Sequence, residues 1–262
     1  SRLIAISSIT ALILILITSS NLISNRVAES YEIINLEKNT QELINICLIQ
    51  NNVALQLETC LKDYSENKKN ILVVGDSVAH NIYWGIKENL THEYSVSLLS
   101  VTGCIPFLSE FEKKLPSYDE TKCVKNYEFV KNILSEKRFH KILIQYDYSR
   151  FAYFKNDIKL LENPLELFTK EIQIYSETLI LVGQPIKWEK PVASHIYLER
   201  KFGLPKLNPL EEAFYYENVM KKLSANLNIQ YISHFDYFCD KQGCENYQLA
   251  DEKLNIFYYD TI

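Results

Sequence analysis

Ile71-Leu72-Val73-Val74-Gly75-Asp76-Ser77 is the stretch on which the fold turns. Four apolar residues, three of them β-branched, read as a short buried strand. The stretch closes on Gly-Asp-Ser, and Ala79 to Leu90 then reads as a helix with Ile82, Tyr83 and Ile86 on one face. A serine at a tight strand-to-helix turn sits where the N–H groups of a helix start stabilise an oxyanion, which is where a nucleophile would be put. Gly75 permits the turn, and Asp76 suits it as a turn or cap residue. The same three residues also spell an ordinary N-cap serine, so the choice depends on the surroundings.

Outward from this stretch the pattern is regular. Tyr94 to Ser100 alternates like a strand, Val124 to Glu136 reads as a helix and Lys141 to Tyr146 as a strand. Pro164 to Glu177 reads as a helix, Thr178 to Val182 as a buried strand ending in Gly183, Glu211 to Leu227 as a helix and Gln230 to Ser233 as a strand. Strands alternating with helices predict an α/β fold with a parallel sheet covered by helices on both faces. Such sheets bind ligands outside the carboxyl ends of their strands, and Ser77 lies at the carboxyl end of the first.

The chain has 262 residues, a net charge of −5 and a pI of about 5.7. No cluster of Lys or Arg is dense enough for a nucleic-acid surface. Leu3 to Ile23 is an apolar run without a charge. Its length suffices for a bilayer core of roughly 30 Å. The expectation is a transmembrane helix within residues 1–25, with a signal peptide or a buried soluble helix as rival readings. Arg2 marks the inner side, placing the remainder outside the cytoplasm. Residues 26–66 are mixed and polar and read as an extracytoplasmic linker, with short helices over 28–39 and 55–64. Six cysteines fall as local couples: Cys47 with Cys60, Cys104 with Cys123, and Cys239 with Cys244. Six cysteines permit 15 pairings. Sequential pairing is the expectation because short loops close easily, and an even count suits an oxidising compartment. Six free thiols in a cytosolic protein is the opposing reading. No couple has the spacing of a zinc site, and no metal or cofactor is expected.

The motifs, taken in order, resemble the SGNH (GDSL-type) hydrolases and esterases. Gly75-Asp76-Ser77 looks like that superfamily's first block. Gly103, in Val101-Thr102-Gly103-Cys104-Ile105-Pro106, matches the second, whose glycine N–H helps form the oxyanion hole. Asp260 matches the aspartate of the last block, Asp-x-x-His. The sequence given stops at Ile262, one residue short of that histidine, so the fragment is expected to be nearly inactive by itself. The third block, usually Gly-x-Asn-Asp, is replaced by Gln145-Tyr146-Asp147-Tyr148-Ser149-Arg150-Phe151. Gln145 is the positional candidate for a third oxyanion donor, and Tyr148 stands where the acyltransferase branch often has a tryptophan.

Together with the apolar run, the linker and the cysteine couples, the pattern is similar to the extracytoplasmic SGNH domain of membrane acyltransferase-3 proteins. The resemblance implies a three-layer sandwich with a central, mainly parallel sheet over residues 67–262, in the bacterial inner membrane with its main domain in the periplasm. It implies O-acylation, most simply O-acetylation, of a cell-surface glycan. The acyl donor would be delivered through the membrane portion, and a lipid bilayer would surround the N-terminus. Ser77 would be the nucleophile, Asp260 the orienter of the base, and the N–H groups of Ser77 and Gly103 the oxyanion donors. A membrane-anchored carbohydrate esterase and a non-catalytic glycan-binding module are the alternatives. Of the other histidines, His80 lies one helical turn from Ser77 and is expected on the solvent side or against a ligand. His92 and His140 read as surface residues, and nothing specific places His195 or His234 beside Ser77. Trp188 reads as packing or as a border of the cleft.

Overall fold

The computed structural model describes residues 61–90, 92–100, 120–150, 157–189, 199, 202–203, 205–241, 243–245, 247–250 and 253–256. The chain divides into two compact units. The larger comprises residues 37–187 and 209–239; the smaller comprises 1–36, 188–208 and 240–262.

The larger unit is built on a five-stranded sheet: β1 (Lys69–Gly75), β2 (Tyr94–Ser100), β3 (Phe139–Gln145), β4 (Ser176–Val182) and β5 (Gln230–Ile232). All neighbours are parallel, in the order β2-β1-β3-β4-β5. The crossovers carry α1 (Ala79–Leu90), α2 (Glu120–Glu136), α3 (Lys159–Ile172) and α4 (Glu211–Leu227). Helix α5 (His234–Phe238) follows β5. Parallel strands roofed by crossover helices lose the polar-out alternation of a one-sided sheet. Residues 70–75 of β1 are accordingly buried without interruption, as are residues 95–100 of β2. The core runs from Leu72, Val73 and Val74 through Leu98, Ile142 and Ile144 to Leu181 and Val182. Helix faces close it with Tyr83, Ile133, Phe168 and Met220.

Helix α1 spans the residues expected of it, and so does α4, which ends on Asn228 in the left-handed conformation at φ 54°. Helix α3 begins five residues before Pro164 and ends at Ile172. The chain then tightens into a 3₁₀ turn over Gln173–Tyr175, and β4 starts at Ser176. The buried stripe Leu161, Leu165, Phe168 and Ile172 sets that span, and it overrides the boundary that a proline suggests. Strand β3 starts at Phe139, whose ring joins the core.

In the smaller unit Trp188 and Leu207 are buried, so Trp188 serves packing. Strands β8 (Tyr247–Ala250) and β9 (Lys253–Ile256) form an antiparallel pair. Strand β6 (Cys239–Asp240) pairs with β7 (Gly243–Cys244). Cys239 and Cys244 are both disulfide-bonded, and Gly243 between them holds φ at 127°, a conformation side chains disfavour. The apolar run Leu3–Ile23, the helix expected over 28–39, Cys47, Cys60, Gly103, Cys104, His195 and Asp260 lie outside the described residues, as does the side chain of Cys123. Residues 61–63, the described part of the short helix expected over 55–64, form a turn. Among the described residues no helix is long and apolar enough to cross a membrane.

Candidate active site

Strand order locates the site first. The chain leaves β1 for β2 on one side and returns to β3 on the other, so the crossovers diverge above the carboxyl ends of β1 and β3. A crevice opens there in doubly wound sheets. Gly75 is the last residue of β1, and it pairs in register with Gln145, the last of β3. A side chain on Gly75 would collide with the Gln145 carbonyl oxygen and sit 2.5 Å from the Ala79 Cβ. Only glycine lets the turn close this tightly against the neighbouring strand.

Asp76 follows, 2 % exposed. Its Oδ1 accepts from the Val78 N–H at 3.0 Å, which shapes the turn around Ser77. Its Oδ2 accepts from the Asp147 N–H at 3.1 Å, 71 residues away. One carboxylate thus ties the Ser77 turn to the loop leaving β3. Ser77 itself is exposed, next to this buried anchor. Its carbonyl accepts from the His80 N–H at 3.4 Å, starting α1.

The loop after β3 takes a 3₁₀ turn over Tyr148–Arg150. Asp147 is its hub. Its Oδ1 accepts from Ser149 Oγ at 2.8 Å and from Gln184 Nε2 at 3.0 Å. Its Oδ2 meets Lys187 Nζ at 2.8 Å. Gln184, buried just past β4, also accepts from the Ser149 N–H at 3.1 Å. Buried polar groups survive in a core only when partnered in this way. Tyr148 is fully buried beneath the loop, and burial pushes its hydroxyl well above the usual tyrosine range, with Asp76 and Glu217 adding to the effect.

Two imidazoles flank the crevice. His80 is 4 % exposed, with Nε2 2.5 Å from Ser100 Oγ at the end of β2. Burial lowers its pKa to about 4, so the ring is neutral at pH 7. The solvent-side position expected for His80 is thereby corrected: a hydrogen-bonding partner 20 residues along the chain makes its burial tolerable. His234, at the start of α5, places Nε2 2.8 Å from Gln145 Nε2, and enclosure lowers its pKa to about 4 also. An unprotonated ring nitrogen can accept from that amide. Gln145 is buried, its amide nitrogen directed at His234. His92 is exposed, and His140 sits at the opposite end of β3, 2.7 Å from Glu177. Beneath β4, Gly183 leaves room for the Glu217 carboxylate and the Tyr231 hydroxyl, which a side chain there would strike. Burial pushes the Glu217 carboxyl up, an effect opposed in part by Ser233 and Tyr231.

The structure therefore brings Ser77 and Gln145 to one sheet edge. It adds Asp147, Gln184, Lys187 and His234, which the sequence did not single out. Their signal was positional: each follows the carboxyl end of β3, β4 or β5, where doubly wound folds place function. Among the described residues no group of three His, Cys, Asp or Glu could hold a metal ion.

The fold is similar to that of the periplasmic domain of a lipopolysaccharide acetyltransferase from Salmonella ser. Paratyphi A, at 20% identity and a TM-score of 0.60, over 83% of this chain and 86% of that one. A more distant likeness is to Axe2, an acetylxylan esterase from Geobacillus stearothermophilus, at 11% identity and a TM-score of 0.37, over 63% of this chain and 75% of that one. No curated protein sequence matches the chain. Residues 46–262 match the family model described as the SGNH domain fused to AT3 domains, and the chain therefore belongs to that family.

Proposed function

We propose that this domain is a serine-dependent O-acyltransferase, most simply an O-acetyltransferase, acting on a cell-envelope glycan from the outer side of the bacterial inner membrane. The observation that carries this reading is the placement of Ser77. It is an exposed hydroxyl on a turn fixed by a buried carboxylate, at the switch point of a parallel sheet, in a chain of the SGNH family. The likeness to the periplasmic acetyltransferase domain agrees with it in fold.

In this reading a base takes the proton of Ser77 Oγ as the oxygen attacks the acyl carbon of a donor presented from the membrane side. The tetrahedral oxyanion rests on the N–H groups of Ser77 and Gly103, each such donor being worth roughly 3 kcal/mol. Gln145 is the positional candidate for a third donor, with its amide nitrogen now turned toward His234. The leaving group departs with the proton, and Ser77 holds the acyl group as an ester. A sugar hydroxyl then gives its proton to the base and attacks the ester, and Ser77 Oγ recovers a proton as it leaves. Asp260 orients the base, which the Asp-x-x-His pattern places three residues after it, and stabilises the charge that forms on it. Neutral His80 and His234 are engaged with Ser100 and Gln145. They are not needed as the base in this scheme.

The test is Ser77→Ala in the intact protein. Acyl transfer to glycan should fall by orders of magnitude, with the circular dichroism spectrum unchanged. Unchanged transfer by a well-folded variant refutes the assignment. Hydrolysis of an acetylated glycan without transfer would make the protein an esterase.

A further inference from the structure

His80 is a buried titratable group that the mechanism above leaves without a task. It sits in the first turn of α1, and its N–H donates to the carbonyl of Ser77. Its ring reaches across to Ser100, the last residue of β2, which is completely buried. Strand β2 lies beside β1, so the contact joins the nucleophile turn to the neighbouring strand end. Asp76 makes the matching connection on the other side, from the same turn to the loop after β3. The Ser77 turn is thus held from both flanks by buried polar contacts.

We infer that His80 is a positioning residue: through Ser100 it holds the Ser77 turn against the carboxyl end of β2. The inference rests on the assignment of Ser77 as nucleophile. His80 Nε2 is engaged by Ser100, a buried partner on the neighbouring strand, and the residue is 4 % exposed. Burial keeps the ring neutral, as a fixed hydrogen-bonding strut should be. Misplacement of reacting groups by about 1 Å costs on the order of a hundredfold in rate, so a strut that sets the position of the Ser77 turn has leverage on kcat.

The experiment uses the intact protein, with p-nitrophenyl acetate for turnover and a fluorophosphonate probe for the reactivity of Ser77. His80→Leu and Ser100→Ala should each lower kcat by about 10- to 100-fold, with KM nearly unchanged and Ser77 labelling slowed in parallel. The double variant should be no worse than the poorer single, because both break one contact. His80→Gln, which keeps a polar group near the Nε2 position, should recover most of the rate. Full turnover by Ser100→Ala overturns the inference. So does a His80→Gln protein as inactive as His80→Leu beside an active Ser100→Ala, since that pattern belongs to a proton-transfer role. Should His80→Leu fail to fold, Ser100→Ala decides alone, because it removes a single hydroxyl. Ser77→Ala separates the two levels: turnover that survives it removes the nucleophile assignment and the inference with it. If Ser77→Ala is inactive and Ser100→Ala is fully active, only the positioning role falls.

Discussion

The two edges of one sheet differ in kind. At the carboxyl edge polar groups are buried and hydrogen-bonded: Asp76 to the Asp147 N–H, Ser100 to His80, the Gln145 amide nitrogen to His234, and Asp147 to Ser149 and Gln184. At the amino edge the charged groups are solvated, with Asn70 a buried exception. Lys68, Lys69, Arg138 and Glu177 rim an open depression of about 850 Å³ with Tyr64 and His140. A seven-residue strand separates the edges by about 23 Å at roughly 3.3 Å per residue. That hollow is thus remote from Ser77. Its charges are of both signs, and the ion pairs of such a surface contribute little. Burying polar groups is costly unless every partner is supplied, so a sequence that maintains such a network at one edge has committed that edge to a fixed geometry. On the proposed assignment of Ser77, connected burial and not volume marks the reactive edge.

If that contrast is right, substitutions at the carboxyl edge should act strongly and through different mechanisms. Ser77→Ala should reduce acyl transfer about 10³- to 10⁴-fold or more while leaving stability unchanged, because the side chain is exposed. Rate and urea midpoint measured together check both halves. Gly75→Ala should do the reverse and act first on folding. Its methyl group meets backbone and the Ala79 methyl group, neither of which can rotate away, and overpacking of this kind costs about 3 kcal/mol or more. A variant with the wild-type melting temperature would show that β1 and β3 separate more easily than their register implies.

Acid should weaken the carboxyl edge selectively. His80 and His234 are held to about 4 in the fold and titrate near 6.5 when unfolded. Above pH 6.5 both states are neutral and nothing is lost. Between pH 6.5 and 4 the unfolded chain takes up protons that the fold refuses, so stability falls as pH falls. By pH 5 the loss is on the order of 2 kcal/mol per histidine. Urea unfolding at pH 7 and pH 5 measures it, and His80→Gln should remove about half of the difference. A smaller step is expected from Asp76→Asn. The amide presents a donor to one of two N–H groups now bound by carboxylate oxygens, at a cost of about 1.5 kcal/mol or slightly more. Chemical denaturation of the purified variant checks it.

The layered fold was legible because it is written locally. Ile71–Val74 announces a strand, the spacing of Ile82, Tyr83 and Ile86 announces α1, and the order of such segments announces a parallel sheet. Boundaries failed where packing outvoted a local signal, as when the Leu161–Ile172 stripe started α3 at Lys159, before Pro164, and ended it at Ile172, short of Glu177. The tight turn at Ser77 was legible, but what holds it was not. Asp76 reads as a turn residue, and only its contact with an N–H 71 residues away makes it a clamp. His80 reads as a solvent-facing helix residue until Ser100 is found opposite it, and the Gln145–His234 pair spans 89 residues. Long-range polar pairing carries no periodicity, so pattern reading cannot see it.

The amino edge supplies the contrasting prediction. Glu177 is 73% exposed and lies 2.7 Å from His140 Nδ1, a pair that resembles a structural link when only the distance is considered. Solvent screens it, and the freed glutamate regains the rotamer entropy that the pair costs. Glu177→Gln should therefore change stability by less than about 0.5 kcal/mol. It should leave acyl transfer at the wild-type rate, because among the described residues no buried contact connects it to the Ser77 turn. The same urea titration and the same transfer assay read both. A loss of transfer with stability intact would mean that the depression at the amino edge takes part in the reaction. The separation of a working carboxyl edge from an inert amino edge would then have to be abandoned.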